Sequence, residues 1–370
     1  MIQRFKDEWL LGLAIVAIVL GYAFESVWLG AGQGVAAIVT IALVVVIIGA
    51  AMRVSNYAEL LAEKVGDPYG TMILTLSAVL VEVMILLIMM TSEHSPTLAR
   101  DTIYSAVMLD LNGIIGLAAL VGGLKHGEQV YNDDSSKSYA VMIITAMGIT
   151  MVMPRVLPAS TWSEFSIFNI CAMVVLYAVF LRMQTGQHSY FFSYNYPDKR
   201  KPRVKKSSPS SEAANSHAPA SIGWSIIALI VGVVLTGLLA EIMSTGLNTS
   251  IKGLPLPPLF VAIVVALISA SPEILTALKA ALANRMQSVI NIAQGASLST
   301  VVLTVPVIEL VSLIQGSHIE MALEPVQLAM VGLTLLVAAI NLNDGETNAI
   351  EGMTHFVLFL TFVMLAVMGV

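Results

Sequence analysis

Ser77-Ala-Val-Leu-Val-Glu82 and Ser269-Ala-Ser-Pro-Glu273 each carry one glutamate into a strongly apolar stretch, 69–91 in the first case and 256–281 in the second. Each stretch is long enough to cross a hydrocarbon core of about 30 Å, which takes about 20 helical residues. Glu82 lies about 14 residues into its stretch, roughly 20 Å along a helix that rises about 1.5 Å per residue. A carboxyl group at that depth is costly, faces a bundle interior or a water-filled cavity, and marks a functional site by default. Glu273 follows Pro272, which removes a backbone donor and can kink or interrupt the span, freeing carbonyls beside the acid.

The surrounding chain fits a bilayer. Apolar residues make up 57% of 370 and charged residues 11%, with a mean hydropathy of +0.85, whereas a soluble domain carries about a quarter charged residues. Eleven spans can be drawn, at about 9–27, 32–52, 69–91, 101–123, 139–157, 163–184, 223–243, 256–281, 289–313, 325–342 and 353–370. The run after Met1-Ile-Gln-Arg-Phe-Lys resembles a secretory leader. It is long and has no small-x-small cleavage site, which makes it an uncleaved first span. With the amino terminus inside, fifteen of the eighteen Lys and Arg residues fall on the cytoplasmic side, leaving Arg100, Arg155 and Lys252 outside. Nine against three remain without the 199–206 cluster, so the positive-inside bias does not rest on that run alone, and the carboxyl terminus is expected outside.

Residues 185–222 break the apolar pattern with Lys199-Arg-Lys-Pro-Arg-Val-Lys-Lys206 followed by Ser, Pro, Ala and Asn, a composition that cannot bury a core. They read as a cytoplasmic linker, a tether with lipid-headgroup binding or regulation as the alternative role. The linker divides the ten later spans into five and five. The expected organisation is therefore a first transmembrane helix at 1–31, an N-terminal five-helix repeat at 32–184, the linker at 185–222 and a C-terminal five-helix repeat at 223–370. The fold class is an all-α polytopic membrane protein with 11 transmembrane helices, one plus two inverted five-helix repeats. The inversion follows from topology: the span with Glu82 runs outward and the span with Glu273 runs inward. Inverted repeats with a midplane site at their interface are the hallmark of secondary transporters.

Each glutamate span is followed by one with a small, polar stretch, Asp110-Leu-Asn-Gly113-Ile-Ile-Gly116 and Asn291-Ile-Ala-Gln-Gly295-Ala-Ser-Leu-Ser-Thr300. Glu82 and Glu273 are the candidate cation- and proton-binding pair. Two carboxylates on one cavity repel each other, a cation between them relieves the repulsion, and proton and cation then compete for the same oxygens. Candidate lining residues are Asp110, Asn112, Ser269, Ser271, Asn291, Gln294, Ser297, Ser299 and Thr300. Asp110 reads equally as a direct participant or an interhelical hydrogen-bonding residue, and the Gly and Ser pattern equally as close helix packing. Glu309, Asn341, Asn343 and Asp344 lie nearer span ends, where a solvated rim role is expected.

Other chemistries find little support. Cys171 is the single cysteine and reads as an inert packing residue. The histidines, at 94, 126, 188, 217, 318 and 355, are scattered, mostly between spans, with no metal-ligand spacing. A phosphate-cradling G-x-x-x-x-G-K-[ST] loop, H-E-x-x-H and G-x-S-x-G are all missing from the sequence, which argues against nucleotide-driven pumping and two common forms of hydrolysis. No nucleic-acid footprint is present. The expected partners are inorganic cations, protons and the lipid bilayer, with no cofactor and no enzymatic activity.

Several stretches resemble the calcium/cation antiporter superfamily, and in particular its ChaA-type bacterial cation/proton antiporters. They are Gly66-Asp-Pro-Tyr-Gly-Thr71 leading to Glu82, Arg100-Asp-Thr-Ile-Tyr-Ser105, and Ser271-Pro-Glu273 through Ala277-Leu-Lys-Ala280 to Leu303-Thr-Val-Pro306. The resemblance implies eleven helices, exchange of Ca2+, Na+ or K+ for H+ across a bacterial cytoplasmic membrane, and a paired-glutamate site at Glu82 and Glu273. Calcium/proton exchangers of that superfamily commonly carry Gly-Asn-x-x-Glu at both sites. Here the Gly-Asn positions hold Ala78-Val79 and Ser269-Ala270, and Ser299 stands where a glutamine is usual. Fewer amide oxygens face the site, a departure that bears on calcium selectivity. The basic linker also lacks the acidic residues that serve some members as a cation-sensing element.

Overall fold

In the computed structural model, the described residues are 9–65, 69–92, 95–186, 188–192, 194, 222–251, 257–316 and 319–369. The basic run 199–206 and most of the expected linker lie outside them, as do Gly66 to Pro68.

Thirteen helices are described in chain order: α1 Trp9–Ala23, α2 Glu25–Gly30, α3 Gln33–Val65, α4 Tyr69–Ser92, α5 Leu98–His126, α6 Asp133–Arg155, α7 Trp162–Thr185, α8 Ile222–Ile251, α9 Pro258–Ser269, α10 Ser271–Leu282, α11 Met286–Gln315, α12 Pro325–Asn341 and α13 Ala349–Met368. Seven are long and apolar enough to cross a membrane alone, and α9 with α10 makes an eighth as one span bent by 58°. The apolar parts of α1, α4 and α12 are shorter.

Some boundaries follow from local chemistry. Asn132 caps α6 by accepting from Asp134 N at 3.0 Å, and Asn348 caps α13 by accepting from Ile350 N at 2.9 Å, each occupying an orphan donor of a helix start. Pro258 and Pro325 open α9 and α12, where a missing N–H costs nothing. Other boundaries depart from the sequence reading. The span expected at 32–52 runs on as α3 to Val65, and the first span ends at Ala23, giving way to α2. Cys171 is exposed on α7 rather than packed, among the outward Phe168, Val174 and Val175.

Glycines set the packing. On α8, a Cβ at Gly232 would meet Val54 of α3, one at Gly237 would meet Ile88 of α4, and one at Gly246 would meet Thr40 of α3 and Trp28 of α2. The first long helices of the two halves therefore lie close together, as small residues permit in lipid. A tighter approach joins α5 and α13. A Cβ at Gly116 would stand 2.6 Å from Phe356 N, and one at Gly352 would overlap the backbone of Ala119 and Leu120. The result is that α5 is the innermost of these helices, with 78% of its apolar window buried against 22% for α13.

This close approach predicts an asymmetry between glycines. Gly352→Ala should destabilise the folded protein by about 1 to 3 kcal/mol, the usual cost of overpacking. Gly12→Ala, with nothing within 4 Å of the added atom, should be neutral or slightly stabilising, since Ala is the better helix former by about 1 kcal/mol. Thermal unfolding in detergent checks both, and equal midpoints would contradict the packing.

Two further links tie the halves at one end. Gln129–Val130 (β1) pairs antiparallel with Glu346–Thr347 (β2). The last carbonyls of α10 are occupied from the α5 end, Ala281 O by Gln129 Nε2 at 2.9 Å and Leu282 O by Lys125 Nζ at 2.9 Å. At the other end of α5, the buried Arg100 donates to Asp101 Oδ1 at 3.0 Å and to Ala322 O at 3.1 Å. The Arg100-Asp101 pair of the quoted motif thus anchors the segment that precedes α12.

Candidate functional site

Glu82 and Glu273 reach one cavity from different elements. Glu82 projects from the middle of unbroken helix α4, whereas Glu273 sits in the first turn of α10, immediately after the break at Ala270. Pro272 explains the break: without an N–H it cannot bond Ile268 O, and Ser271 Oγ donates to that carbonyl instead at 2.7 Å. Ser269 Oγ likewise turns back to Ala266 O at 3.1 Å. The Ile268 carbonyl freed by Pro272 is thus engaged by a serine hydroxyl, and the Glu273 carboxyl lines the cavity. It also stands at a helix N-terminus, where the backbone dipole favours negative charge.

The cavity measures about 370 Å³ and is bordered by α3, α4, α5, the α9–α10 break and α11. Glu82, Glu273 and Asp110 all line it, and Glu273 repels the other two. Thr300 Oγ1 donates to Glu82 Oε2 at 2.8 Å, and Ser297 Oγ donates to Asp110 Oδ2 at 3.2 Å. Glu82 Oε1 and Glu273 Oε2 are buried without a hydrogen-bond partner in the protein. Each acid therefore keeps one oxygen for a ligand. The cavity extends from these acids toward Glu59 of α3 and Ser288 at the start of α11, and Glu59 is exposed. Among the described residues no three of His, Cys, Asp and Glu stand close enough to hold a metal ion unaided. A cation here would be shared between the two glutamates and neutral oxygens.

Two of the three π-helical turns among the described residues, the third being Gly148–Val152 of α6, follow the central glutamates at equal spacing. Leu109–Ile114 of α5 and Thr300–Thr304 of α11 are π-helical turns, rare within helices and frequent at functional sites. Leu109 follows Glu82 by 27 residues and Thr300 follows Glu273 by 27. The wider turns present Asp110 and Thr300 toward the acids.

The remaining candidates divide. Ser269, Asn291, Ser299 and Thr300 line the cavity, although Asn291 Nδ2 is engaged with Phe192 O at 2.8 Å and Ser299 Oγ with Gly295 O at 2.7 Å. Asn112, Ser271, Gln294 and Ser297 do not line it. Asn112 faces away, donating to Thr334 Oγ1 of α12 at 2.8 Å with its Oδ1 3.1 Å from His355 Nδ1 of α13. Gln294 is fully buried with neither amide atom partnered. Ser297 stands behind Asp110.

One group departs from its sequence reading: Glu309 is buried instead of solvated at a rim, while His355 lies buried on α13, inside the span drawn at 353–370. Both are shielded by helices distant in sequence, α7 in one case and α5 and α12 in the other, which hydropathy along a single span does not reveal. Asn343 and Asp344 are exposed, as expected of a rim.

Known proteins share this architecture. A sodium-potassium/proton antiporter, ChaA, of Escherichia coli (strain K12) is 32% identical over 358 residues, covering 95% of each chain. The solved structure of native YfkE superposes with a TM-score of 0.74 at 17% identity, covering 97% of this chain and 99% of that one. An H+/Ca2+ exchanger, CAX, gives a TM-score of 0.64 at 14% identity, covering 97% and 88%. At such identities these structures speak for the fold alone. The sodium/calcium exchanger protein family matches twice, over residues 35–186 and again over 224–368, so the chain belongs to that family.

Proposed function

We propose that the protein is a secondary active antiporter of a cytoplasmic membrane that moves Ca2+, Na+ or K+ outward in exchange for H+ by alternating access. The observation that carries this reading is the convergence of Glu82 and Glu273, one from each half, on a single cavity where each keeps an unpaired buried oxygen. A cation bound between them neutralises the repulsion that the empty, ionised pair suffers. Protons do the same, so loading one releases the other. Asp110, held by Ser297 Oγ, adds a third acid at the cavity wall, and Thr300 orients Glu82.

The family match in two stretches supports two repeats at 32–184 and 223–370, and the 27-residue spacing from each glutamate to its π-turn supports their equivalence. Counting α9 with α10 as one span and α1, α4 and α12 as spans gives eleven. The Lys and Arg distribution supports an amino terminus in the cytoplasm and a carboxyl terminus outside. In that orientation the cavity opens to the cytoplasm. The relatives' names, a sodium-potassium/proton antiporter and Ca(2+)/H(+) antiporters, fit a substrate range of Na+, K+ and Ca2+.

Reconstituted protein with an internal pH dye provides the test. Addition of the transported cation should dissipate an imposed pH gradient, and a panel of Ca2+, Na+ and K+ should rank the substrates. Cation flux that leaves the gradient untouched would indicate a cation/cation exchanger of the same fold or a passive channel.

A further inference from the structure

Glu309 is a second buried acid that the central cavity does not use. It lies on α11 nine residues beyond Thr300, about 13 Å along the helix at 1.5 Å per residue, on the side away from Glu59 and Ser288 at the cavity mouth. Its side chain is almost wholly enclosed, with a residue exposure of 4%. Asn169 of α7, fully buried, donates from Nδ2 to Glu309 Oε2 at 2.8 Å. Among the described residues no cation forms an ion pair with it. Its own helix has no other ionisable group. Of the helices packed on this part of α11, the described side chains of α4 include one ionisable group, Glu82, and α7 carries Glu164, exposed in its first turn, the exposed Cys171, and Tyr177 and Arg182 toward its far end. None of these interacts electrostatically with Glu309.

An isolated carboxylate in such surroundings is expensive, and the group neutralises by taking a proton. The neighbourhood is built to accept both forms. Asn169 Oδ1 is buried without a partner. Ionised, the carboxyl accepts from Nδ2; protonated, it can donate to Oδ1 after the amide turns over. One hydroxyl stands on α11 between Glu309 and Thr300: Thr304 Oγ1 is buried with no partner at hydrogen-bond distance, and it acts on the Glu82 carboxyl.

Taking the antiport reading as given, we infer that Glu309 and Asn169 form a proton-binding station between the central acids and the membrane face opposite the cavity mouth. A proton from water on that face adds to a Glu309 carboxylate oxygen as the antiporter opens there. On transfer, the Glu309 O–H bond breaks and an O–H bond forms on a central carboxylate, with the Thr304 hydroxyl in between, so charge and protons balance with no further reactant.

The test uses the full chain, oriented in proteoliposomes, with the pH of each face varied separately. Glu309→Gln keeps the shape of the neutral acid but cannot titrate. The maximal exchange rate should fall roughly a hundredfold or more, the low end of what a lost proton-transfer group costs. Dependence on the pH of the far face should flatten, while cation KM from the cavity side and calorimetric cation binding stay as in the parent. Wild-type rate and far-face pH dependence in the folded variant would overturn the station. If Glu309→Gln does not fold, Asn169→Ala carries the same test, since it keeps the acid and removes the amide that serves both forms. Again an unchanged rate and far-face pH profile overturn the inference, and a lowered rate with a flattened profile supports it. A parent protein that gives no dye response under any gradient would instead refute antiport itself.

Discussion

Glu82→Gln and Glu273→Gln should each reduce cation/proton exchange to background while leaving a folded protein. Glutamine keeps the size of the side chain and, at Glu82, can still accept from Thr300 Oγ1, which donates at 2.8 Å in the parent. What it removes is the negative charge and the titratable proton. A charged partner contributes about 1.5 to 3 kcal/mol more than an unmade contact, and at 1.4 kcal/mol per factor of ten the cation should bind roughly ten- to a hundredfold more weakly. Exchange suffers more than binding, because the variant has lost one of the two glutamates that must take up and release protons in each cycle. Stability should change little or rise, since each glutamate keeps a buried, unpaired oxygen. Dye-based exchange, calorimetric binding and thermal unfolding on the same preparations separate these effects. The exposed Glu59 at the cavity mouth supplies the comparison, because Glu59→Gln should retain exchange. Wild-type-like transport by either central variant would remove that residue from the site.

The sequence makes the depth of these two acids legible, because a glutamate about 14 residues into an apolar span has few places to go. Pro272 announces the kink as well, although not that Ser271 Oγ would take over Ile268 O. The π-turns at Leu109–Ile114 and Thr300–Thr304 leave no compositional trace. An extra residue in a turn is set by how α5 and α11 pack against their neighbours, and no propensity scale records it. Asn112 illustrates the consequence. Two residues from Asp110 it looks like a second cavity group, yet it points to Thr334 and His355 on helices more than 200 positions away. Glu309 reads as a rim residue for the same reason: burial in a bundle is conferred by partners remote in sequence. Span ends were equally hidden, since α3 continues to Val65 through polar residues that a hydropathy window excludes.

Apparent cation affinity, measured from the cavity side, should rise with pH because proton and cation share the oxygens of Glu82 and Glu273. Below the range in which the empty site ionises, each bound proton must leave before the cation enters. The apparent KM should then fall roughly tenfold per pH unit for each competing proton, as mass action requires. The sign is fixed by the chemistry: acid fills the site with protons and raises KM, and alkali empties it and lowers KM. At alkaline pH the empty site is already deprotonated, so the slope should flatten to zero. Asp110 also lines the cavity and repels Glu273, so a slope steeper than one proton per cation is expected when a divalent ion is carried. The measurement is the initial exchange rate against cation concentration at several pH values, with the pH difference across the membrane held constant. Glu309 does not line the cavity, and its titration should enter the maximal rate and leave KM alone. A KM independent of pH, with only the maximal rate changing, would contradict the shared site even with antiport established. That outcome would move proton binding away from the central pair and onto groups such as Glu309.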